Sequence, residues 1–240
     1  MRKRLGLIAT VGLSIAVIFL GGFVLLEGRN GWRDVSLRYS QWRLPHCEAL
    51  SGKAGTREIA WTGGDSVGMA IPATLRYQPG TGDQVRIAGD ASLIPHVYLD
   101  GTDIKLDCRS PEVASESLII TMPGARRFQS FSLAGATRLI LNDIDQHELH
   151  FNIAGSSNVS AAGRVDEVHV NGAGLSDAKL GDLAVDDAHL NLAGASRIEI
   201  AAAEALHVNA VGAATIVLRT EPKSVETHIL GSGRIIHQSR

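Results

Sequence analysis

The chain is poor in the residues that most often announce a function. Its 240 residues include only two cysteines, Cys47 and Cys108, with no C-x-x-C and no H-E-x-x-H, so the familiar zinc-site spacings are missing. Aromatic residues are 5% of the chain, and from Ala125 onward they are reduced to Phe128, Phe131 and Phe151. That leaves no row of exposed rings of the kind that glycan-binding platforms usually present. Neither sign of charge dominates: 23 Lys and Arg stand against 25 Asp and Glu, interspersed, for a formal net charge of -2. Nucleic acid is therefore excluded as a partner, because the basic footprint it requires is absent. Nucleophile elbow, P-loop and dinucleotide fingerprint are absent as well.

What the chain does have is glycine at a fixed interval. Gly135, Gly155, Gly174, Gly194, Gly212 and Gly231 recur every 18 to 20 residues. At minus six, minus four and minus two from them stand Leu149, Phe151, Ile153; Val168, Val170, Gly172; Ala188, Leu190, Leu192; and Leu206, Val208, Ala210. Gln129, Phe131, Leu133 and Val225, Thr227, Ile229 extend the series at either end. Alternation with period two, repeated at a fixed interval, predicts strands stacked in a solenoid with one face inward. A second inward position follows at plus four: Leu139, Val159, Ala178, Ile198, Ile216 and Ile235. Each coil then has at least two strands joined at a tight corner, which glycine accommodates. Leucine-rich repeats share the period but require a leucine frame with a buried asparagine, which these coils lack.

The N-terminus has its own logic. Arg2, Lys3 and Arg4 precede an uncharged, mostly apolar stretch from Leu5 to Leu26, which as a helix reaches about 33 Å and can cross a hydrocarbon core of about 30 Å. The basic cluster places that end in the cytoplasm, although Arg29, Arg33 and Arg38 beyond the span weaken the bias. A cleavable signal peptide is the alternative, but its apolar region is usually shorter and ends in an A-x-A-like site not found here. The expected organisation is a membrane anchor over residues 1–27, a juxtamembrane linker over 28–55 and a solenoid domain over 56–240. Within the linker Trp32, Val35, Tyr39 and Trp42 fall on one helical face, suited to a membrane surface, or else belong to an irregular spacer. If Cys47 and Cys108 pair in an oxidising periplasm, they close a loop of about 60 residues and contribute about 4 kcal/mol. Two free thiols remain the other possibility.

The glycine corners, the segment GDASLIPHVYLDGTDIKLD from Gly89 to Asp107, the strand SLIITMP from Ser117 to Pro123 and the ending PKSVETHILGSGRI from Pro222 to Ile235 together resemble the bacterial GIN domain, whose members are often labelled auto-transporter adhesin heads. The resemblance covers about residues 56 to 238. It implies an all-β, right-handed parallel β-solenoid of about six coils with an N-terminal strand-rich portion, exported to the cell envelope, with no enzyme activity and no cofactor. The family's usual SGSGD corners are kept here only as Gly231-Ser232-Gly233.

The candidate binding residues lie on the outward face of the strand before each corner. Four consecutive coils read Glu148, His150, Asn152; Glu167, His169, Asn171; Asp187, His189, Asn191; and Ala205, His207, Asn209. Stacking predicts a column of four histidines, one of four asparagines and one of three carboxylates. The flanking coils, Phe128, Ser130, Ser132 and Ser224, Glu226, His228, are read as not continuing it, with Phe128 outward. The plain account is a solvated face held by stacked amides. Carboxylates about 4.8 Å apart repel one another, and imidazoles or a bound cation would relieve this. Histidine with carboxylate is a workable set for zinc, copper or nickel, but in-register ligands on a flat sheet are not expected to converge tetrahedrally, so no metal is assigned.

Catalysis finds no support, because Asp143, Asp177 and Asp182 are isolated residues while polysaccharide-cleaving solenoids need convergent acids and bases. The favoured reading is a non-catalytic, membrane-anchored bacterial envelope protein, single-pass in the inner membrane with its domain in the periplasm. Its solenoid presents a binding or adhesion surface to an envelope protein or a glycan. A structural, self-associating homo-oligomer is the alternative, and a carbohydrate-active solenoid enzyme stands behind both.

Overall fold

The computed structural model describes residues 44–109, 117–174 and 176–238. The anchor expected before residue 28, and the aromatic face at Trp32 to Trp42, lie outside the described residues. Among those described, no helix is long and apolar enough to cross a membrane.

One compact unit begins at His46, inside the stretch read from sequence as linker. Two links hold its first residues: His46 bridges Arg109 in parallel, and Cys47 is disulfide-bonded to Cys108. The pairing that the sequence left open is therefore made. Seven strands form the N-terminal portion: β1 (Ala54–Ala60), β2 (Ser66–Met69), β3 (Thr74–Tyr77), β4 (Gln84–Asp90), β5 (Val97–Asp100), β6 (Asp103–Leu106) and β7 (Leu118–Thr121). A 3-10 turn, Ile94–His96, precedes β5. The coils follow as β8 (Ser130–Gly135), β9 (Arg138–Gly155), β10 (Asn158–Gly174), β11 (Asp177–Gly194), β12 (Arg197–Gly212), β13 (Thr215–Leu218), β14 (Ser224–Gly231) and β15 (Arg234–His237).

From β8 onward every pairing is parallel, so this part is a parallel β-solenoid. The six glycines pair in one column, Gly135 to Gly155, Gly155 to Gly174, Gly174 to Gly194, Gly194 to Gly212 and Gly212 to Gly231. All six have positive φ, from 83° to 129°, a conformation that side chains with a Cβ resist. Antiparallel pairing is confined to β1 with β4, β4 with β7 and β5 with β6. β2 and β3 then pair in parallel with β8 and β9 and join the N-terminal portion to the coils.

Coil length varies, yet the strand before each corner stays in register from the carboxylate position to the glycine. Most of the difference is absorbed at a second bend, where the register shifts fall between Ala161 and Gly163, between Ser160 and Ala162, and between Leu180 and Ala184, and a further shift falls between Val185 and Asp187, just before the ladder positions. β-bulges of this kind take up extra residues and turn the strand.

The inward positions are buried as the alternation requires: Leu149, Phe151, Val168, Val170, Leu190, Leu206 and Val208 are at most 1% exposed. The core changes character along the stack. At its N-terminal end Trp61, Tyr77, Phe128, Phe131 and Phe151 form a chain of ring contacts 5.1 to 6.3 Å apart. Beyond Phe151 the same column continues as Val170, Leu190 and Val208.

Two phase expectations fail at the ends. Phe128 is fully buried, edge-on to Trp61 and Tyr77, while Gln129 is exposed. Strand alternation starts only at Ser130, so counting it back two residues further reverses the faces. In the last coil Val225 is 47% exposed and Thr227 is exposed too, although both continue inward columns. No further coil covers them among the described residues.

Candidate functional site

The strand halves of β9 to β12 that precede the corner present the predicted ladder. Pairing sets Glu148, Glu167, Asp187 and Ala205 in one column, His150, His169, His189 and His207 in the second, and Asn152, Asn171, Asn191 and Asn209 in the third. Alternation fixes this, since the residues between them, such as Leu149 and Phe151, are held in the core.

The asparagine column is a continuous chain of amide hydrogen bonds. Asn171 Nδ2 donates to Asn152 Oδ1 at 3.0 Å, Asn191 to Asn171 at 3.1 Å and Asn209 to Asn191 at 3.1 Å. Each amide donates toward the preceding coil, so the dipoles share one direction. Asn152 in turn donates to Ser132 Oγ at 3.4 Å.

The four imidazoles stack face to face. Centroids are 4.7, 4.9 and 4.8 Å apart, and the planes deviate by 13°, 9° and 4°. The Nε2 atoms of the first three meet the carboxylate column: Glu148 Oε1 lies 2.8 Å from His150 and 3.5 Å from His169. One coil on, Glu167 Oε1 lies 2.9 Å from His169 and 3.2 Å from His189. Each glutamate oxygen thus sits between two successive imidazoles. Asp187, one methylene shorter, forms no such ion pair among the described residues.

The flanking coils, which the sequence reading set apart, close the ladder. Glu226 is the register partner of His207 and reaches its Nδ1 at 3.1 Å, capping the histidine column with a carboxylate. Ser132 ends the asparagine column at the other end. Sequence reasoning missed this because it looked for identical residues rather than complementary ones.

It also missed a hydroxyl column two residues after the glycine, where Thr137, Ser157, Ser176 and Ser196 are buried. Thr137 Oγ1 donates to Ser157 Oγ at 2.9 Å, and Ser157 Oγ donates to Gly135 O at 3.1 Å. The hydroxyls of Ser176 and Ser196 have no hydrogen-bond partner among the described residues. Both line a shallow groove at the corner with Ser156, Asn158, Asp177 and Arg197. Asp177 is the one acid lining it, whereas glycoside hydrolysis uses two carboxyl groups across the bond.

Two other polar clusters are structural in character. His96 Nδ1 contacts Asp107 Oδ1 at 2.6 Å beside Cys108, but that sulfur is bonded to Cys47 and offers no thiolate. His147 Nδ1 meets Asp166 Oδ2 at 2.7 Å, and this hydrogen bond, reinforced by the charge, raises the His147 pKa.

The family model described as "Putative auto-transporter adhesin, head GIN domain" matches residues 65–222. The chain belongs to this family. Among solved structures, a "putative adhesin" of Bacteroides fragilis is similar to it with a TM-score of 0.56 at 15% identity, over 79% of this chain and 99% of that chain. This likeness is one of fold. A "putative lipid binding protein" of Parabacteroides distasonis, at TM-score 0.44, 15% identity and 79% and 98% coverage, is too distant in shape to carry an argument. No curated protein matches the chain.

Proposed function

We propose that this GIN-domain chain is a non-catalytic binding module of the bacterial envelope, and that its ladder face engages a protein or a glycan. One observation carries the reading: four consecutive coils present in-register imidazoles over a continuous amide chain, closed at both ends by complementary groups. Such a face is ordered before it meets a partner, which reduces the entropy lost on binding. The family's description as an adhesin head agrees with an extracytoplasmic setting. The N-terminal apolar segment supplies the finer proposal of a single-pass inner-membrane anchor with the domain in the periplasm.

The test is capture of envelope proteins and glycans on immobilised full-length chain, compared with a variant carrying Glu167→Ala, His169→Ala and Asn171→Ala. A partner retained by the parent and lost by the variant supports the face. A partner captured equally by both overturns it.

Self-association is favoured by a separate observation, the uncovered last coil. There Val225 is 47% exposed, Ile229 and Ile235 are only partly buried, and β14 and β15 offer sheet edges that another strand can extend. Light scattering across a concentration series separates the readings, because only a self-associating chain grows in mass.

A further inference from the structure

We propose that Glu148, His150 and His169 form a binding site for a divalent transition-metal ion of the zinc, copper and nickel class. This rests on reading the ladder as a binding face and names a ligand for one part of it. One ligand atom from each of the three side chains lies within 4.8 Å of the other two. The three ligand atoms come together for a specific reason. The rings stack within 13° of parallel, so their Nε2 atoms point the same way, and the longer Glu148 side chain crosses over to meet both at 2.8 and 3.5 Å.

Those distances suit an ion. Zinc holds nitrogen and oxygen ligands at roughly 2.0 to 2.2 Å, so two ligands of a tetrahedral centre lie about 3.3 Å apart. The two Glu148 to histidine contacts bracket that value. Binding requires the two imidazoles to tilt toward each other by a modest ring rotation. The side chains are 38%, 34% and 27% exposed for Glu148, His150 and His169, which permits the rotation and leaves room for water in the remaining positions.

Two imidazoles and one carboxylate select borderline metals over magnesium and calcium, which prefer oxygen alone. The Glu148 oxygen already faces two ring nitrogens, and an ion there would neutralise the first carboxylate of a column that continues with Glu167. His207, at the far end, belongs to a different pair with Glu226 and provides an internal control.

The experiment is calorimetric titration of zinc chloride into chelator-treated full-length chain, with melting followed in parallel. One zinc per chain is expected, with affinity falling at least tenfold in His169→Ala and in Glu148→Gln and unchanged in His207→Ala. Zinc at about 100 μM should also raise the melting temperature of the parent by mass action and not that of His169→Ala. Copper loaded in place of zinc should show two nitrogen ligands by electron paramagnetic resonance, and one in His150→Ala. Absence of zinc binding, or binding that survives His169→Ala or falls equally in His207→Ala, overturns the site. Partner capture that depends on the ladder while zinc fails to bind would overturn the metal site and leave the binding face standing. Triad-dependent zinc binding with no partner captured would do the reverse.

Discussion

His169 stacks on His150 with ring centroids 4.7 Å apart, and both direct Nε2 to one oxygen of Glu148. The pairing follows from parallel register: residues 19 positions apart become neighbours across one strand spacing, and the same contact recurs at Glu167 and His189. A polar face built this way stands directly above a core of Leu149, Val168 and Ala188, and adjacent positions respond to substitution in opposite ways.

Leu190 and Asn191 test that division. Leu190→Asp places an unpaired carboxylate where the side chain is 1% exposed, and the domain should lose at least about 3 kcal/mol or fail to fold. Asn191→Asp removes the exposed amide bond to Asn171 and should cost about 1 kcal/mol. Chemical denaturation of both variants checks the contrast, and equal midpoints would contradict the assigned faces.

The glycine column is a steric requirement as well as a conformational one. At Gly194 φ is 113°, and a Cβ would lie 2.6 Å from the carbonyl oxygen of Gly174. Gly194→Ala should therefore destabilise by about 2 kcal/mol or more, whereas Gly64→Ala, with open space around it, should stay within about 0.5 kcal/mol. Thermal melts of the two variants decide this.

Two exposed pairs give pH responses of opposite sign. Asp90 accepts hydrogen bonds from the hydroxyls and backbone amides of Ser92 and Ser51 and from the Gly52 amide. Those bonds, led by the Ser92 hydroxyl, hold its pKa well below the usual carboxylate range. Its contribution is present above the unfolded value of 3.8 and is lost as pH falls through the lower folded value. His147, raised by Asp166, contributes below its unfolded value of 6.5 and loses that contribution as pH rises through its folded value. Acid unfolding should thus be less steep in Asp90→Asn, and Asp166→Asn should reduce stability near pH 6 more than near pH 8.

Reduction should matter as well. Cys47 and Cys108 are 61 residues apart in sequence, and cross-linking a loop of that size restricts the unfolded chain by about 4 kcal/mol. Melting with and without reductant should show a drop of that order, matched by Cys47→Ser with Cys108→Ser.

The anchor proposal is checked by fractionation. Full-length chain should stay with membranes through a high-salt wash, and a soluble mature form beginning near Glu27 would show a cleaved signal instead.

The coils were legible because three signals agree in each one: a glycine at a fixed interval, alternation before it and an apolar residue four positions after. The ladder was legible for the same reason, since outward residues are fixed once the inward ones are. Legibility stopped where repetition stops. The β1, β4 and β7 pairing is antiparallel and non-repeating, so no period marks it. Phe128 misled because it precedes the strand whose phase it was assigned. Val225 misled because alternation reports direction, while burial also needs a covering coil. The metal-compatible convergence depended on side-chain length, glutamate against aspartate, which the column pattern alone does not weigh.

The unequal coils carry a last consequence. Since the length differences are taken up before the ladder positions are reached, the corner strands advance by one strand spacing per coil, about 4.8 Å, whatever the number of residues between them. The ladder is therefore a ruler with evenly ruled marks, and insertion or trimming between corner strands changes the chain's length without moving a mark. A linear partner whose own repeat is commensurate with that pitch meets the same chemistry at each step, and one with a different repeat falls out of phase within a few coils.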